Sequence, residues 1–390
     1  MSHKFHLGLL PRIIIAIILG ILIGWIAPMW VARLCATFNG VFSQFLNFLI
    51  PLIILGFVAP AIADIGKSAG KMLVVTALLA YAATIMAGYI SYFTGAYFFP
   101  GMIHADPELM AVENSGGIEP WFDMPIPALM PVMTALVFSF MLGLGIAYSS
   151  GVSLRKGVDE FRDIVAKTIN KALIPLLPFY IFGIFLNMTV AGQVAVILST
   201  FVKIIIVIFC LHVFVLLLQY CIASLFARRN PLKMLWTMMP AYFTALGTQS
   251  SAATIPVTLR QAIKMGVSED VAGFVVPLCA TVHLSGSTLK IVACALALMI
   301  MQGMPHDIGV FTHFIAMLGI TMIAAPGIPG GAIMASLGLM TSILGFSDAQ
   351  NAMMIALYIA MDSFGTACNV TGDGALAAIV DRIFSHRKKV

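Results

Sequence analysis

Residues 358–381, reading YIAMDSFGTACNVTGDGALAAIVD, are apolar enough for a membrane helix yet carry Asp362, Asn369 and Asp373. At 100° per residue these three positions fall within roughly 40° of one another, with Thr366 beside them. They form one polar stripe on an otherwise lipid-compatible rod. Ionisable groups at membrane depth are costly, so they face a cavity, a partner or a bound ion. Whatever else this chain does, it must wrap other helices around that stripe. The stripe can be glue between helices or a site for a ligand and a cation. Gly365, Gly372 and Gly374 favour the second reading, because they let a ligand or another backbone come close.

The rest of the chain supplies such helices. Of 390 residues 61% are hydrophobic and 9% charged, and the mean hydropathy is +1.04. That composition excludes a soluble domain and describes an all-α polytopic membrane protein. Apolar spans are read at 9–30, 39–63, 72–99, 126–148, 172–190 and 195–227, with the polar stretch 100–125 between the third and fourth. The first is too long for a signal-peptide core and is kept as a span. The basic segment 155–171 is amphipathic and is expected at the membrane surface, against anionic headgroups. Alternating the spans gathers Lys4, Arg12, Lys67, Lys71, the 155–171 cluster, Arg228, Arg229, Lys233 and the basic C-terminus on one side, and leaves Arg33 alone on the other. Both termini are therefore expected in the cytoplasm, of a bacterial inner membrane. The formal charge of +5 reflects this sorting, not a nucleic-acid surface. Cys35, Cys210, Cys221, Cys279, Cys294 and Cys368 show no C-x-x-C spacing and read as packed thiols.

Beyond Lys233 the pattern changes. Segments 234–263 and 309–345 are apolar but broken in the middle, the first at QSSAATIP (249–256) and the second at PGIPGG (326–331). Arms of about 13–18 residues fall short of the roughly 20 needed to cross a bilayer, so both segments read as re-entrant hairpins. Each precedes a span with its own polar break, His283-Leu284-Ser285-Gly286-Ser287 and Asn369-Val370-Thr371-Gly372-Asp373. Paired interrupted segments point to a transporter's midplane site.

These residues carry a resemblance. Ser250-Ser251 with Thr254-Ile255-Pro256-Val257-Thr258, Pro277-Leu278-x-Ala280-Thr281, Gly327-Ile328-Pro329-Gly330 and Asp362…Asn369-x-x-x-Asp373 resemble the glutamate transporter family, the dicarboxylate/amino acid:cation symporters. The resemblance is specific over residues 234–381 and rests elsewhere on span count and on Tyr81 with Thr84. It implies a homotrimer of eight transmembrane helices and two re-entrant hairpins. Residues 1–233 would form mainly the scaffold, the third and sixth spans packing with the core, and 234–384 would form an inverted-repeat core that moves as an elevator. It further implies that Ser250, Ser251, Asn369 and the Gly330 tip hold a substrate carboxylate, and that Asp362 receives an α-amino group, with Gly365 and Thr366 alongside. Asp373 and Asn369, with backbone near Cys279, match one sodium site, and Thr281 with the second hairpin matches another.

The departures are as informative. The family's Asn-Met-Asp-Gly-Thr reads His283-Leu284-Ser285-Gly286-Ser287, which removes the carboxylate of a third sodium site shared with Tyr81 and Thr84. Acidic-substrate members carry an arginine where this chain has Gly365. The resulting expectation is a secondary transporter importing a neutral amino acid with sodium. A proton-coupled or an acidic amino acid or dicarboxylate symporter of the same fold is the alternative. An intramembrane aspartyl hydrolase would need Asp362 and Asp373 to share a proton, but 11 residues on one helix set them about 16 Å apart. Two basic residues stay open. His283 reads as a packed core residue, a cation-site residue or a proton carrier. Lys290 reads as a snorkelling side chain, as one half of a plain structural ion pair, or as a built-in replacement for the missing third sodium, near Ser285.

Overall fold

The computed structural model describes residues 8–67, 71–103, 118–149, 152–192, 194–323, 325 and 329–385. Asp106, Glu108 and Glu113 of the acidic stretch, and Pro326, Gly327 and Ile328 of the second tip, lie outside them. Among the described residues all regular structure is helical. The axis is helix Ser285–Met301, every one of whose 17 residues is buried. Helices Lys71–Phe98, Val194–Ala227, Asp348–Ala360 and Asp362–Ser385 pack directly on it.

Residues 231–385 run through one order twice. Pro231–Thr248 and Ser251–Met265 pack together and lead into Glu269–Val282 and Ser285–Met301. Ile308–Met322 and Gly331–Leu344 pack together and lead into Asp348–Ala360 and Asp362–Ser385. The four arms have 18, 15, 15 and 14 residues, short of a bilayer crossing. Their ends are set by local chemistry. Asn230 and Ser250 cap the first pair and Asp307 accepts from Gly309 and Val310, while the helix that follows the second pair, Asp348–Ala360, starts in a reciprocal capping box of Ser347 with Gln350. The second pair turns through Gly330 at φ +74°, a conformation that favours glycine. The first pair breaks only at Gln249 and Ser250, so the expected break is shorter than 249–256, and Pro256 is accommodated inside the helix.

The breaks in the two long helices correct one expectation. The first falls at His283 and Leu284, as the sequence indicates. The second falls at Met361, where the axis bends by 63°, and residues 369–373 are helical throughout. The half-helices before the breaks have 14 and 13 residues, so the breaks correspond in position although the two polar motifs do not. Asp362 opens the new helix, where a carboxylate complements the positive helix end. Gly372 serves close approach rather than a break: a Cβ there would lie 2.5 Å from Gln219 Oε1 and 2.7 Å from His283 Cε1.

The remaining helices form a second group, with Leu9–Gly24 on Ile174–Val190 and Met29–Lys67 on Val132–Tyr148. Eight crossings are expected from the sequence. Among the described residues five helices are long and apolar enough, or six with the bent pair counted as one. The other two, Leu9–Gly24 and Val132–Tyr148, have 16 and 17 residues, because the chain leaves the helix at Trp25 and enters the later one only after Pro131. Met29–Lys67 compensates with 39 residues, running through Pro51 and Pro60. The basic segment is no separate surface piece. Val152–Thr168 continues through a π-turn, Ile169–Leu173, into Ile174–Val190, and Val165 packs at the Gly56 position.

Gly20 and Gly24, four residues apart, bring Leu9–Gly24 onto residues 182–189. A Cβ at Gly20 would lie 2.7 Å from the Phe182 carbonyl, and one at Gly24 would lie 2.6 Å from Thr189 Cβ. Gly20→Val is expected to destabilise the protein by about 1–3 kcal/mol, read as a lower melting temperature of the detergent-purified protein.

Candidate functional site

Three small clusters line the polar stripe of helix Asp362–Ser385. At its N-terminal end Asp362 is 3% exposed. Its Oδ1 accepts from Lys290 Nζ at 3.0 Å and its Oδ2 from the Gly330 backbone N–H at 2.8 Å. Lys290, fully buried, also donates to the Tyr358 carbonyl at 3.3 Å and lies 3.4 Å from the centre of the Tyr358 ring. That carbonyl also accepts the Met361 N–H at 3.2 Å, at the break that ends helix Asp348–Ala360. One carboxylate thus ties the central helix to the tip of the second helix pair.

Lys290 therefore does not snorkel. It does not serve Ser285 either, whose hydroxyl accepts from Gln219. On an ideal helix position 290 points away from 285, and the interruption at His283 and Leu284 precedes both residues, so it leaves that phase unchanged. The reading of Gly365 changes with it. A Cβ at 365 would lie 2.9 Å from both Cε and Nζ of Lys290, so the volume a glycine frees there is filled by the lysine.

In the middle of the stripe Asn369 engages the start of the central helix. Its Oδ1 accepts from the Gly286 and Ser287 N–H groups at 2.8 and 3.3 Å, and its Nδ2 donates to Ser287 Oγ at 3.0 Å. Tyr358 Oη donates to the same Ser287 hydroxyl at 3.0 Å. This satisfies donors that a helix start leaves unpaired.

Further along, Asp373 Oδ1 lies 2.9 Å from His283 Nδ1, both side chains buried. The other ring nitrogen, Nε2, faces Gln219 Nε2 at 3.4 Å, and that amide also donates to Ser285 Oγ at 3.1 Å. With the Gln219 amide nitrogen facing it, Nε2 is the acceptor and Nδ1 carries the proton toward Asp373, an orientation that leaves Gln219 Oε1 without a hydrogen-bond partner among the described residues. The residue that the resemblance gives to sodium is thus held at one oxygen by an imidazole.

The other expected residues are more dispersed. Ser250 Oγ accepts from Ala253 N–H as a helix cap, Ser251 is buried behind it, and Gln249 donates to Ser363 at 2.9 Å. Thr366 is buried on the stripe. Cys279 is buried, and its carbonyl accepts the His283 N–H. Thr281 is exposed and donates back to Leu278. Tyr81 Oη donates to Ala316 O at 3.4 Å, and the buried Thr84 hydroxyl has no hydrogen-bond partner among the described residues. Hence Asp362, Gly330, Gly365 and Lys290 come together, as do Asp373 and His283, whereas among the described residues Tyr81, Thr84 and Thr281 make no hydrogen bond to either cluster.

Sequence reasoning missed the contribution of helix Val194–Ala227. From it, His212 Nε2 donates to Gly286 O at 3.1 Å, Gln219 bridges His283 and Ser285, and Tyr220 Oη donates to Thr371 O at 2.7 Å. The signal was present: His212 and Gln219 are polar residues seven apart in an apolar run, hence on one helix face. Because Ser287 Oγ serves two buried donors, Ser287→Ala is expected to orphan both. The expected loss is about 1–3 kcal/mol of stability, visible in thermal unfolding in detergent, with Ser287→Thr closer to wild type.

Comparison with known proteins follows the same lines. A family model described as the sodium:dicarboxylate symporter family matches residues 9–383. The serine/threonine transporters SstT of Acinetobacter baumannii strains AYE, AB307-0294 and AB0057 are each 26% identical over 393 residues, covering 96% of this chain and 97% of theirs.

Proposed function

The chain belongs to the sodium:dicarboxylate symporter family, and on that premise we propose that it imports a neutral α-amino acid together with a cation, by alternating access. It is a transporter, not an enzyme. The observation that carries the neutral substrate is the charge balance at the stripe's N-terminal end. Asp362 and Lys290 cancel at 3.0 Å, so a zwitterion with an uncharged side chain leaves the buried site neutral. A second carboxylate would add an uncompensated charge in a poorly solvating interior. In this reading Asp362 takes the substrate's ammonium and Thr366 lines the seat. The carboxylate is met by the Ser250–Ser251 tip and by Asn369 at the start of the central helix. The relatives named as serine/threonine transporters support a small polar side chain.

We assign the coupling cation, sodium in the family's description, to Asp373. His283 holds one carboxylate oxygen, and the cation binds through the other, with backbone carbonyls completing its shell. The helix pairs 231–265 and 308–344 are the gates of a moving core. Residues 1–233 are mainly the scaffold of a trimer in a bacterial inner membrane, with both termini cytoplasmic.

One observation favours a second reading. Lys290 brings an ammonium to the Gly365 position, so an acidic amino acid whose side-chain carboxylate meets that ammonium is the competing substrate. Competition against radiolabelled serine uptake in proteoliposomes separates the two. Unlabelled serine and threonine are expected to compete at least about tenfold better than glutamate, aspartate or succinate, the size of effect one uncompensated charge produces. The reverse order overturns the neutral reading.

For the cation, Asp373→Asn is expected to raise the sodium concentration for half-maximal uptake by about tenfold or more, with the order of competing amino acids unchanged. Unaltered sodium dependence removes Asp373 from the cation site.

A further inference from the structure

Asp362 has both oxygens engaged by the protein: Oδ1 by the Lys290 ammonium at 3.0 Å and Oδ2 by the Gly330 N–H at 2.8 Å. The first of these is the kind of contact a substrate ammonium makes. Lys290 is held there by the Tyr358 carbonyl and ring face as well, and it fits only because position 365 has no side chain. A lysine fully enclosed in an apolar bundle needs such partners, and so does the aspartate facing it.

We propose that Lys290 is a tethered stand-in for the substrate's ammonium: the two alternate on Asp362, and the lysine allows the core to close and return without substrate. This deepens the reading above and rests on its assignment of the amine to Asp362.

The argument follows the charge. An alternating-access symporter that accumulates its substrate must make one of its two crossings with no amino acid bound. During that crossing Asp362 would be a buried anion without a cation, under a helix-pair tip that bonds to it through Gly330. An unpaired buried carboxylate resists closure, because closing removes its water. Lys290 supplies the missing positive charge from the neighbouring helix, so the Gly330 tip can shut over a neutral pair. When a substrate arrives, its ammonium displaces Nζ from Oδ1 and its carboxylate offers the released lysine a new partner. One ion pair is exchanged for two, with no charge left over. Lys290 is then also a competitor tethered within the site, and it sets affinity as well as return.

A permanent structural ion pair would look the same in a static arrangement but would behave differently in transport. The test uses the full-length protein in proteoliposomes, with an inward cation gradient and radiolabelled serine. Net uptake into vesicles without internal amino acid is compared with exchange into vesicles preloaded with unlabelled serine. Exchange needs only the loaded crossings, whereas net uptake needs the unloaded return. In Lys290→Met the ratio of exchange to net uptake is expected to rise about tenfold or more, the effect of an unpaired buried charge on one step only. The serine concentration for half-maximal exchange is expected to fall, since the competitor is gone.

Gly365→Ala serves as the second variant should Lys290→Met fail to fold. Its Cβ would press on the flexible end of the lysine, 2.9 Å from Cε and Nζ, and is expected to shift the ratio in the same direction. A ratio equal to wild type in both variants, whatever the absolute rates, overturns the proposal and leaves the proposed function standing. Asp362→Asn separates the other failure. Undiminished serine exchange in that variant shows that the amine sits elsewhere, and both readings then fall.

Discussion

The buried half of this protein depends on how two carboxylates are partnered among apolar side chains. Asp362 and Asp373 sit on one helix, and each meets a basic side chain of the broken helix that precedes it in the fold, Lys290 and His283 respectively. An isolated carboxylate in such surroundings is strongly disfavoured. The fully buried helix Ser285–Met301 must therefore lie close enough for both contacts. Its phase relative to Asp362–Ser385, the break at His283 and the closeness that Gly365 and Gly372 permit all serve that requirement. The surrounding helices then satisfy the backbone and hydroxyl groups that the breaks release, through Asn369, Tyr358, Gln219 and His212.

This arrangement gives the two breaks different roles. At the first, a helix start is capped by an uncharged amide, Asn369, so its positive end is balanced by a group that adds no net charge. At the second, the helix start carries Asp362 itself. A ligand with one positive and one negative end would find an anion at one break and a helix start at the other. The two ends of an α-amino acid have that polarity, and the two helix starts belong to two different helices, Ser285–Met301 and Asp362–Ser385.

Much of this was legible in the sequence, and the failures share one cause. Spacing found the stripe of Asp362, Asn369 and Asp373, the short arms and the break at His283, because each depends on local chemistry. Asn369–Asp373 repeats the polar, apolar, hydroxyl, glycine, polar pattern of His283–Ser287 and so points to a break there, with Gly374 following Gly372. In the structure those glycines make room for Gln219 and for Tyr220 and Met238, neighbours that spacing along one helix does not reveal. Lys290 stands five residues from Ser285, the nearest sequence feature, but its ion-pair partner lies 72 residues away. His212 and Gln219 were within reach of the same periodicity argument but sit in a span that otherwise reads as plain scaffold. Sequence distance misleads wherever a side chain's meaning is set by the helix across from it.

The steric exclusion between positions 365 and 290 also bears on how such a site can change over generations. With Lys290 seated, any side chain at 365 meets its end at 2.9 Å, so an arginine there cannot be gained in one step without evicting the lysine. Losing the lysine first strands Asp362. The conservative route passes through a shortened residue at 290 together with a neutralised residue at 362, and only then a new cation at 365. The three positions are thus tied together: what position 365 can hold depends on what stands at 290, and what stands at 290 depends on the charge at 362.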